Sequence, residues 1–303
     1  MQDEDPLDEL LIKRIRELTT PQTPLPTDQK PQLQQLDSIK SVVFDVYGTM
    51  FVSSSGDIGL MEEHSDDEQA FYQGLESLDV DFKEWETAQE GVKQFRQVIN
   101  DTHKRMKTEG IPHPEVDIVH IWHEVFRMLS EKGLLTYVDD FDFLKKFSVE
   151  FEIRFNPPWP MPGLQETLSQ FRDQNYKLGI VSNSQFYTPL SIRALMNQSL
   201  EELGFYPDLL QWSYKNSMGK PSIGLYELLV ETLRDAYEIN PDEVLYIGND
   251  MLNDVYPAHE LGMKTALFAG DQRSLRLREG HPECQQLRPD LVITELPQIL
   301  ECV

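Results

Sequence analysis

Short apolar runs alternate along the chain with longer stretches in which apolar residues recur at helical spacing. Six runs are suited to buried strands, the last of them weakly, and they lie at 41–46, 177–182, 243–247, 264–268, 290–293 and 209–213. Amphipathic stretches typical of helices lie between them, at 163–174, 224–236 and 254–261. Strands that alternate with helices indicate an α/β fold, and we predict a Rossmann-like, doubly wound parallel sheet.

A long insertion separates the first predicted strand from the second. Residues 54–155 are helical by pattern, most clearly at 82–106 and 116–132. The chain returns to the strand pattern through the proline-rich stretch 156–163. We therefore predict an α/β core formed by 41–53 and 156–303, and a helical cap domain formed by 54–155. A cap over the strand ends would exclude water and select the substrate.

The N-terminal part of the chain has a pattern of its own. Leucine and isoleucine recur at helical spacing in the first 18 residues, and a stretch rich in proline and glutamine follows without a core pattern. For residues 1–40 we predict a short amphipathic helix and a linker. We expect this helix to dock on the rest of the protein rather than to serve as a partner-binding arm.

The charge balance narrows the possible partners. The 303 residues carry 27 Lys and Arg against 52 Asp and Glu, a net charge of -25, which repels nucleic acid and anionic lipid surfaces. We therefore expect neither nucleic-acid nor membrane partners. An enzyme that acts on a small anionic substrate would need local positive groups to overcome this field.

Cysteine usage and the first residues point to the cytoplasm. Cys284 and Cys302 lack the spacing of a zinc site or a redox pair, which is typical of free thiols in a reducing compartment. The first residues are acidic, where a secretory signal would be basic and then apolar, and no apolar segment reaches the length of a membrane span. We predict a soluble cytoplasmic protein, and the patterns leave its oligomeric state open.

Polar residues stand at the ends of the predicted strands, where ligands bind in an open parallel sheet. Asp45 follows the first strand. An aspartate in this place is more often a cap or turn residue, but it is also a nucleophile that can form a covalent acyl intermediate. Ser182 and Asn183 end the second strand and offer small hydrogen-bond donors for an oxyanion or a phosphoryl oxygen.

Two later segments add charged groups to this set. Lys220 precedes a proline and a predicted helix, and it is either a solvated surface lysine or the cation that balances a negative nucleophile and substrate. Asp250 and Asp254 follow a buried strand together with Asn249, and their oxygens are of the type that holds Mg²⁺. Each segment alone is a weak signal, but the four in this order indicate the active site of an enzyme.

The four segments together resemble the motifs of the haloacid dehalogenase superfamily of aspartate-nucleophile hydrolases, over residues from about 41 to 294. The first motif matches Asp45-Val-Tyr47-Gly48-Thr49, and the second matches Ser182-Asn183. The third falls on Lys220-Pro221 and the fourth on 248–254. The resemblance implies that Asp45 is the nucleophile and that the insertion stands in the position of the family's helical cap.

Two departures from the family pattern bear on the reaction. Phosphatases of the family usually carry a second aspartate two residues after the nucleophile, where this chain has Tyr47, a poor general base at neutral pH. Tyrosine at this position resembles the 2-haloacid dehalogenases, whose halide leaving group needs no proton. The fourth motif is closer to the phosphatase form, although Asn249 stands where an aspartate is usual.

These features leave three hypotheses for the function. We favour the Mg²⁺-dependent hydrolysis of a small phosphate monoester, in which Ser182, Asn183 and Lys220 stabilise the developing anion. The metal ligands would be Asp45, Asn249, Asp250 and Asp254, and the alternative role of Asp250 and Asp254 is to orient Lys220 and water. Because Asn249 removes one charge, we expect weaker Mg²⁺ binding than in a standard member. The alternatives are a metal-independent 2-haloacid dehalogenase and a non-catalytic binding protein.

The insertion holds two further polar clusters and a basic residue near its end. One cluster is basic, and we expect it to form a solvated helix face rather than a substrate anchor; it consists of Lys93, Arg96, Lys104, Arg105 and Lys107. His120, His123 and Glu124 lack the order of a zinc-binding helix, and we expect packing or surface roles for them. Arg154 lies just before the proline-rich stretch, within possible reach of the site.

Overall fold

The computed structural model describes residues 5–53 and 65–303, so residues 1–4 and the first part of the predicted cap, 54–64, lie outside the described residues. The strands are β1 (Ser41–Phe44), β2 (Phe51–Val52), β3 (Trp159–Pro160), β4 (Lys177–Ser182), β5 (Phe205–Trp212), β6 (Val244–Gly248), β7 (Lys264–Phe268) and β8 (Leu291–Ile293). Six of them form a parallel sheet in the order β5-β4-β1-β6-β7-β8, and β2 pairs with β3 in antiparallel fashion. The predicted parallel α/β sheet is confirmed.

The helices alternate with these strands as the pattern predicts. They are α1 (Pro6–Leu18), α2 (Ser65–Ser77), α3 (Glu84–Thr108), α4 (Ile118–Glu131), α5 (Phe141–Phe155), α6 (Leu164–Asp173), α7 (Tyr187–Met196), α8 (Ser213–Asn216), α9 (Ile223–Tyr237) and α10 (Tyr256–Glu260). A π-helical turn over Met251–Val255 precedes α10, and short 3-10 helices lie at Pro241–Glu243, Pro282–Cys284 and Leu296–Glu301. The stretch predicted as one helix at 254–261 is therefore divided between the π-helical turn and α10.

The central strand β1 is buried on both faces. Val42 and Phe44 belong to one apolar cluster, which includes residues of α6, whereas Val43 belongs to a second cluster, which includes residues of α9. Side chains alternate between the two faces of a strand, so helices cover both sides of the sheet. This explains why the strands read as continuous apolar runs rather than as alternating patterns.

The strand register brings the ends of three strands together. Phe44 pairs with Ile180 of β4 and with Ile247 of β6, and the amide of Asp45 donates to the carbonyl of Ile247 over 2.9 Å. Because these strands are parallel, their carboxyl ends lie at the same edge of the sheet. The residues that follow them therefore meet there.

Helices α2–α5 of the insertion share an apolar cluster of their own. Its centre is aromatic: the rings of Phe95 and Trp122 stack with centroids 4.1 Å apart, and Trp122 also contacts Phe147 and Phe151 edge-on. The amphipathic α1 buries Leu11, Ile12 and Ile15 in the same cluster. The predicted N-terminal helix thus packs against the insertion and α7, while the division into domains stays a prediction.

The linker after α1 runs along the edge of the sheet. Gln32 forms two backbone hydrogen bonds with Val292 of β8, of 2.8 and 3.0 Å, and Thr27 donates to the carbonyl of Ala269. The linker therefore covers an edge strand that would otherwise expose unpaired backbone groups.

The structure also describes both cysteines and the apolar character of the helices. Cys284 and Cys302 are both buried and free of disulfide bonds. None of the helices in the described residues combines the length and the apolar character that a membrane crossing requires.

Candidate active site

A buried lysine between two carboxylates forms the centre of the site. The Lys220 ammonium donates to Asp45 Oδ1 and to Asp254 Oδ1, each over 2.6 Å. Asp45 follows β1, Asp254 lies in the π-helical turn after β6, and all three side chains are buried. The structure therefore brings together the predicted nucleophile, the predicted cation and the last acidic residue of the fourth motif.

Further hydrogen bonds fix the Lys220 backbone and the carboxylate of Asp254. The backbone amide of Lys220 donates to Asn183 Oδ1 over 2.7 Å, which ties the lysine loop to the end of β4. Asp254 also accepts from the Tyr246 hydroxyl over 3.1 Å and from the amide of Asp250 over 2.9 Å. A side chain at Gly248 would overlap the carboxylate of Asp254, so this position requires glycine.

Electrostatics hold Lys220 in its charged form. Burial alone would lower the pKa of the ammonium, but the carboxylates of Asp254 and Asp45 outweigh burial and raise that pKa above its ordinary value. Asp45 Oδ1 is committed to this ion pair, and no hydrogen bond within the described residues reaches Asp45 Oδ2. Oδ2 is thus the oxygen of Asp45 that remains available to attack a substrate.

The two residues predicted as anion donors differ in their surroundings. Asn183 borders a cavity and holds Lys220, with its side-chain amide 3.5 Å from the Lys220 carbonyl. Ser182 is fully buried at the end of β4, and its hydroxyl makes only a long contact of 3.5 Å to the carbonyl of Asn183. Both lie at the predicted strand end, and Asn183 is the one that borders the cavity.

Tyr47 is unsuited to proton transfer in this structure. Its hydroxyl shares a hydrogen bond of 3.0 Å with Thr188 Oγ1 on α7. Burial raises the pKa of the phenol well above its ordinary value, and the negative charge of Glu152 raises it further. The sequence-based expectation that this tyrosine is a poor general base is therefore reinforced by its surroundings.

The predicted metal ligands Asn249 and Asp250 are engaged with other parts of the chain. Asp250 accepts from Arg278 Nε over 3.0 Å and from the terminal Arg278 nitrogen over 2.6 Å, and it caps the π-helical turn through the amide of Leu252. The Asn249 side chain accepts from the Thr49 hydroxyl over 3.1 Å and donates to the carbonyl of Ser274 over 2.6 Å.

These contacts decide how well the predicted set fits Mg²⁺. Lys220 and Arg278 occupy the positions next to the carboxylates where a cation would sit. Within residues 5–53 and 65–303, no group of three or more His, Cys, Asp or Glu side chains is arranged to hold a metal. The four predicted ligands do not fit Mg²⁺ as they stand. Asp250, Asp254 and Asn249 are engaged by other groups of the chain, and among the four only Asp45 keeps a carboxylate oxygen without a hydrogen bond in the described residues.

A cavity of about 370 Å³ opens beside Lys220. The core contributes Tyr47, Asn183, Lys220 and Arg278 to its walls. The insertion contributes a second set, which consists of His103, Lys107, His113, Glu115 and Glu152. The cavity therefore lies between the strand ends and the helical insertion, where the sequence predicts the substrate.

The insertion residues of this cavity include one predicted cluster member and several that the sequence analysis missed. Lys107 belongs to the predicted basic cluster, and it forms no ion pair within the described residues. Burial and the nearby Lys107 charge lower the pKa of His103 and of His113. Glu152 lies four residues after Ser148 on α5, and both residues are buried. A carboxylate at helical spacing from buried positions is a pattern from which Glu152 could have been predicted as a candidate site residue.

The other polar residues predicted in the insertion lie away from the cavity. Lys93, Arg96 and Lys104 pair with Glu90, Asp67 and Asp101, respectively. His120 contacts Asp117, and Glu124 pairs with Arg127. His123 contacts Asp139 over 3.3 Å, and Arg154 donates to Glu150 over 2.7 Å. These pairs are in line with the surface and packing roles expected for most of these residues.

Comparisons with known proteins bear on this site. A family model described as a hydrolase, haloacid dehalogenase-like hydrolase, matches residues 39–262. The glyceraldehyde 3-phosphate phosphatase of Pyrococcus furiosus is 24% identical over 216 residues, which cover 65% of this chain and 81% of that protein. The protein of the same name from Pyrococcus abyssi is 21% identical over 183 residues, which cover 54% of this chain and 70% of that protein.

A solved structure shares the fold. The 2-haloacid dehalogenase from Pseudomonas syringae pv. Tomato DC3000 superposes with a TM-score of 0.54 at 19% sequence identity, over 87% of this chain and 97% of that chain. At this identity the likeness concerns the fold and carries no information on the substrate.

Proposed function

Because the chain belongs to the haloacid dehalogenase-like hydrolases, we propose that it hydrolyses a small phosphate monoester through a covalent intermediate on Asp45. The observation that carries the proposal is the buried ion-pair triad, in which Lys220 holds one oxygen of Asp45 and leaves Oδ2 without a hydrogen bond in the described part of the chain. The similarity to two glyceraldehyde 3-phosphate phosphatases favours a phosphate ester over other substrates.

The chemistry proceeds in two steps. Asp45 Oδ2 attacks phosphorus and forms an acyl phosphate while the bond from phosphorus to the ester oxygen breaks. Lys220 and Asn183 stand at the cavity wall, where they stabilise charge on the phosphoryl oxygens. Water then attacks the phosphorus of the acyl phosphate, which releases inorganic phosphate and restores the carboxylate of Asp45.

The cavity supports a small anionic substrate. Its volume of about 370 Å³ suits a small molecule, and Lys107 places a positive charge on the part of its wall that the insertion contributes. A charged nitrogen there attracts a second anionic or strongly polar group of the substrate, against the repulsion of the protein as a whole. We therefore propose a small phosphorylated metabolite as the substrate.

Magnesium has no step in this mechanism. In the arrangement described above, Lys220 and Arg278 supply the positive charge near Asp45, Asp254 and Asp250. The predicted Mg²⁺ requirement is therefore tested by measuring phosphate release with magnesium and with chelator. We expect activity to survive the chelator.

The test is turnover of an aryl phosphate and of a 2-haloacid, each with magnesium and with chelator. We expect phosphate release by the wild type and a loss of about a thousandfold or more in Asp45→Asn. Asp173→Asn, which changes an exposed aspartate of α6, is the matched control and should keep full activity. Phosphate release that persists in Asp45→Asn would contradict the proposed nucleophile.

Dehalogenation is the second candidate, because Tyr47 favours it. A halide leaves without a proton, so a phenol that is held by Thr188 and has a raised pKa is no handicap to that reaction. Chelator-insensitive halide release that depends on Asp45, without phosphate release, would replace the phosphatase proposal. A protein that turns over neither compound would support the non-catalytic hypothesis.

A further inference from the structure

Glu152 is a buried carboxylate that has no role in the two steps of the proposed reaction. It lies in the last turn of α5, where the chain passes from the insertion back to the core, and only 8% of its surface is exposed. Its side chain borders the same cavity as Tyr47, Asn183 and Lys220. The charge of Glu152 also raises the pKa of the Tyr47 phenol.

The neighbouring Glu150 is a buried carboxylate of the same helix that has a structural role in ion pairs. Glu150 is equally buried, and it pairs with Arg14 over 2.5 Å and with Arg154 over 2.7 Å, away from the cavity. Glu152 forms no ion pair within the described residues. Burying a carboxylate without a cation is costly, which points to a use for the acid itself.

The polar contacts of Glu152 hold it at the boundary of the cavity. Asn156 donates to Glu152 Oε1 over 3.4 Å and accepts from the Ser53 hydroxyl over 3.2 Å. Ser53 directly follows β2 and Asn156 directly follows α5, so the carboxylate is tied to both crossings between core and insertion.

The protonation state of Glu152 suits proton transfer near neutral pH. Burial raises the pKa of its carboxyl group from 4.5 to about 7. The charge of Glu152 acts on two buried phenols, those of Tyr47 and Tyr187, and raises the pKa of each. The other titratable groups on the cavity wall are Lys220, Arg278, His103, Lys107, His113 and Glu115.

We propose that Glu152 is the general acid and base of the phosphatase reaction, the task that a second aspartate at position 47 would otherwise perform. This inference rests on the proposed function, because it names the proton donor of the same site. The donor comes from the insertion rather than from the strand end.

The proton transfers balance over the two steps. In the first step, Glu152 gives its proton to the ester oxygen as that oxygen leaves phosphorus, so an alcohol departs and Glu152 becomes a carboxylate. In the second step, Glu152 takes a proton from the water that attacks the acyl phosphate. Phosphate leaves, Asp45 is restored as a carboxylate and Glu152 is again protonated.

The test compares a poor and a good leaving group in Glu152→Gln. An alkyl phosphate such as glycerol 3-phosphate needs a proton on its leaving oxygen, whereas 2,4-dinitrophenyl phosphate does not. Because the second step is common to both esters, the comparison uses kcat/KM, which reports the steps up to departure of the ester oxygen. We expect kcat/KM for the alkyl ester to fall by about a hundredfold or more and kcat/KM for the dinitrophenyl ester by less than about fivefold. The wild-type kcat/KM for the alkyl ester should also decline above pH of about 7.

Matched variants separate this role from a structural one. Glu150→Gln removes a buried carboxylate of the same helix that lies outside the cavity, and it should change kcat/KM for the two esters by the same factor. Equal losses of kcat/KM on both esters in Glu152→Gln would overturn the inference and leave the proposed function standing, provided that Asp45→Asn is inactive on both. A wild type inactive on both esters would overturn the proposed function and this inference together.

Discussion

Lys220 is the side chain on which the charge balance of the site depends. It separates the buried carboxylates of Asp45 and Asp254, which would repel each other without it. Lys220→Met should therefore destabilise the protein by about 3–5 kcal/mol at pH 7, since it leaves two unpaired buried charges. Urea denaturation of the wild type and the variant measures this loss.

The control for that measurement is Lys264→Met. Lys264 is 41% exposed and lies 3.9 Å from Asp290, so its removal should cost less than about 1 kcal/mol. A Lys220→Met variant as stable as this control would contradict the buried ion pairs.

The free energy of unfolding should depend on pH through the side chain of Glu152. Its pKa is raised from 4.5 to about 7 in the folded protein, so the folded state keeps a proton that the unfolded state has already lost. The wild type therefore loses stability as pH rises through this range, by as much as about 3 kcal/mol from this group. Glu152→Gln should escape that loss and gain on the wild type between pH 4.5 and 7. Denaturation curves at pH 5 and pH 7.5 measure the gain, and a constant difference between the two proteins would count against it.

The π-helical turn over Met251–Val255 is the element that sets the position of Asp254. Gly248, at the end of β6, has no side chain and so leaves room for the Asp254 carboxylate. Gly248→Ala should push that carboxylate off Lys220, with a loss of about 1–3 kcal/mol in stability and of about tenfold or more in activity. Gly280→Ala adds the same methyl group to open space and should change neither.

Some elements could be predicted from the sequence pattern, whereas contacts between distant segments could not. Buried parallel strands are visible as apolar runs, which is why β1, β4 and β6 and the polar residues at their ends could be predicted. β5 begins at Phe205, four residues before the weak run at 209–213, because exposed residues interrupt its pattern. The pattern of local residues also cannot show that Arg278 pairs with Asp250, or that Glu152 faces the core, since both contacts arise only when distant segments pack together.

Lys107 is the one cation of the cavity that forms no ion pair within the described residues, and it belongs to a protein with a strongly negative net charge. The net charge of -25 repels an anionic substrate, and Lys107 stands at the end of α3, on the cavity wall formed by the insertion. Lys107→Ala should therefore raise KM for a phosphorylated substrate by about tenfold or more, because a charged hydrogen bond to the substrate is lost. kcat should change little, since no hydrogen bond or ion pair joins Lys107 to Asp45 or Lys220 in the described residues.

Lys104→Ala is the matched control for this binding role. Lys104 lies one turn earlier on α3, is 78% exposed and contacts Asp101 over 3.8 Å, so it shares the long-range charge of Lys107 without bordering the cavity. If both variants raised KM equally, the effect would be one of net charge. A rise confined to Lys107→Ala, and weakened by added salt, would locate substrate recognition in the insertion.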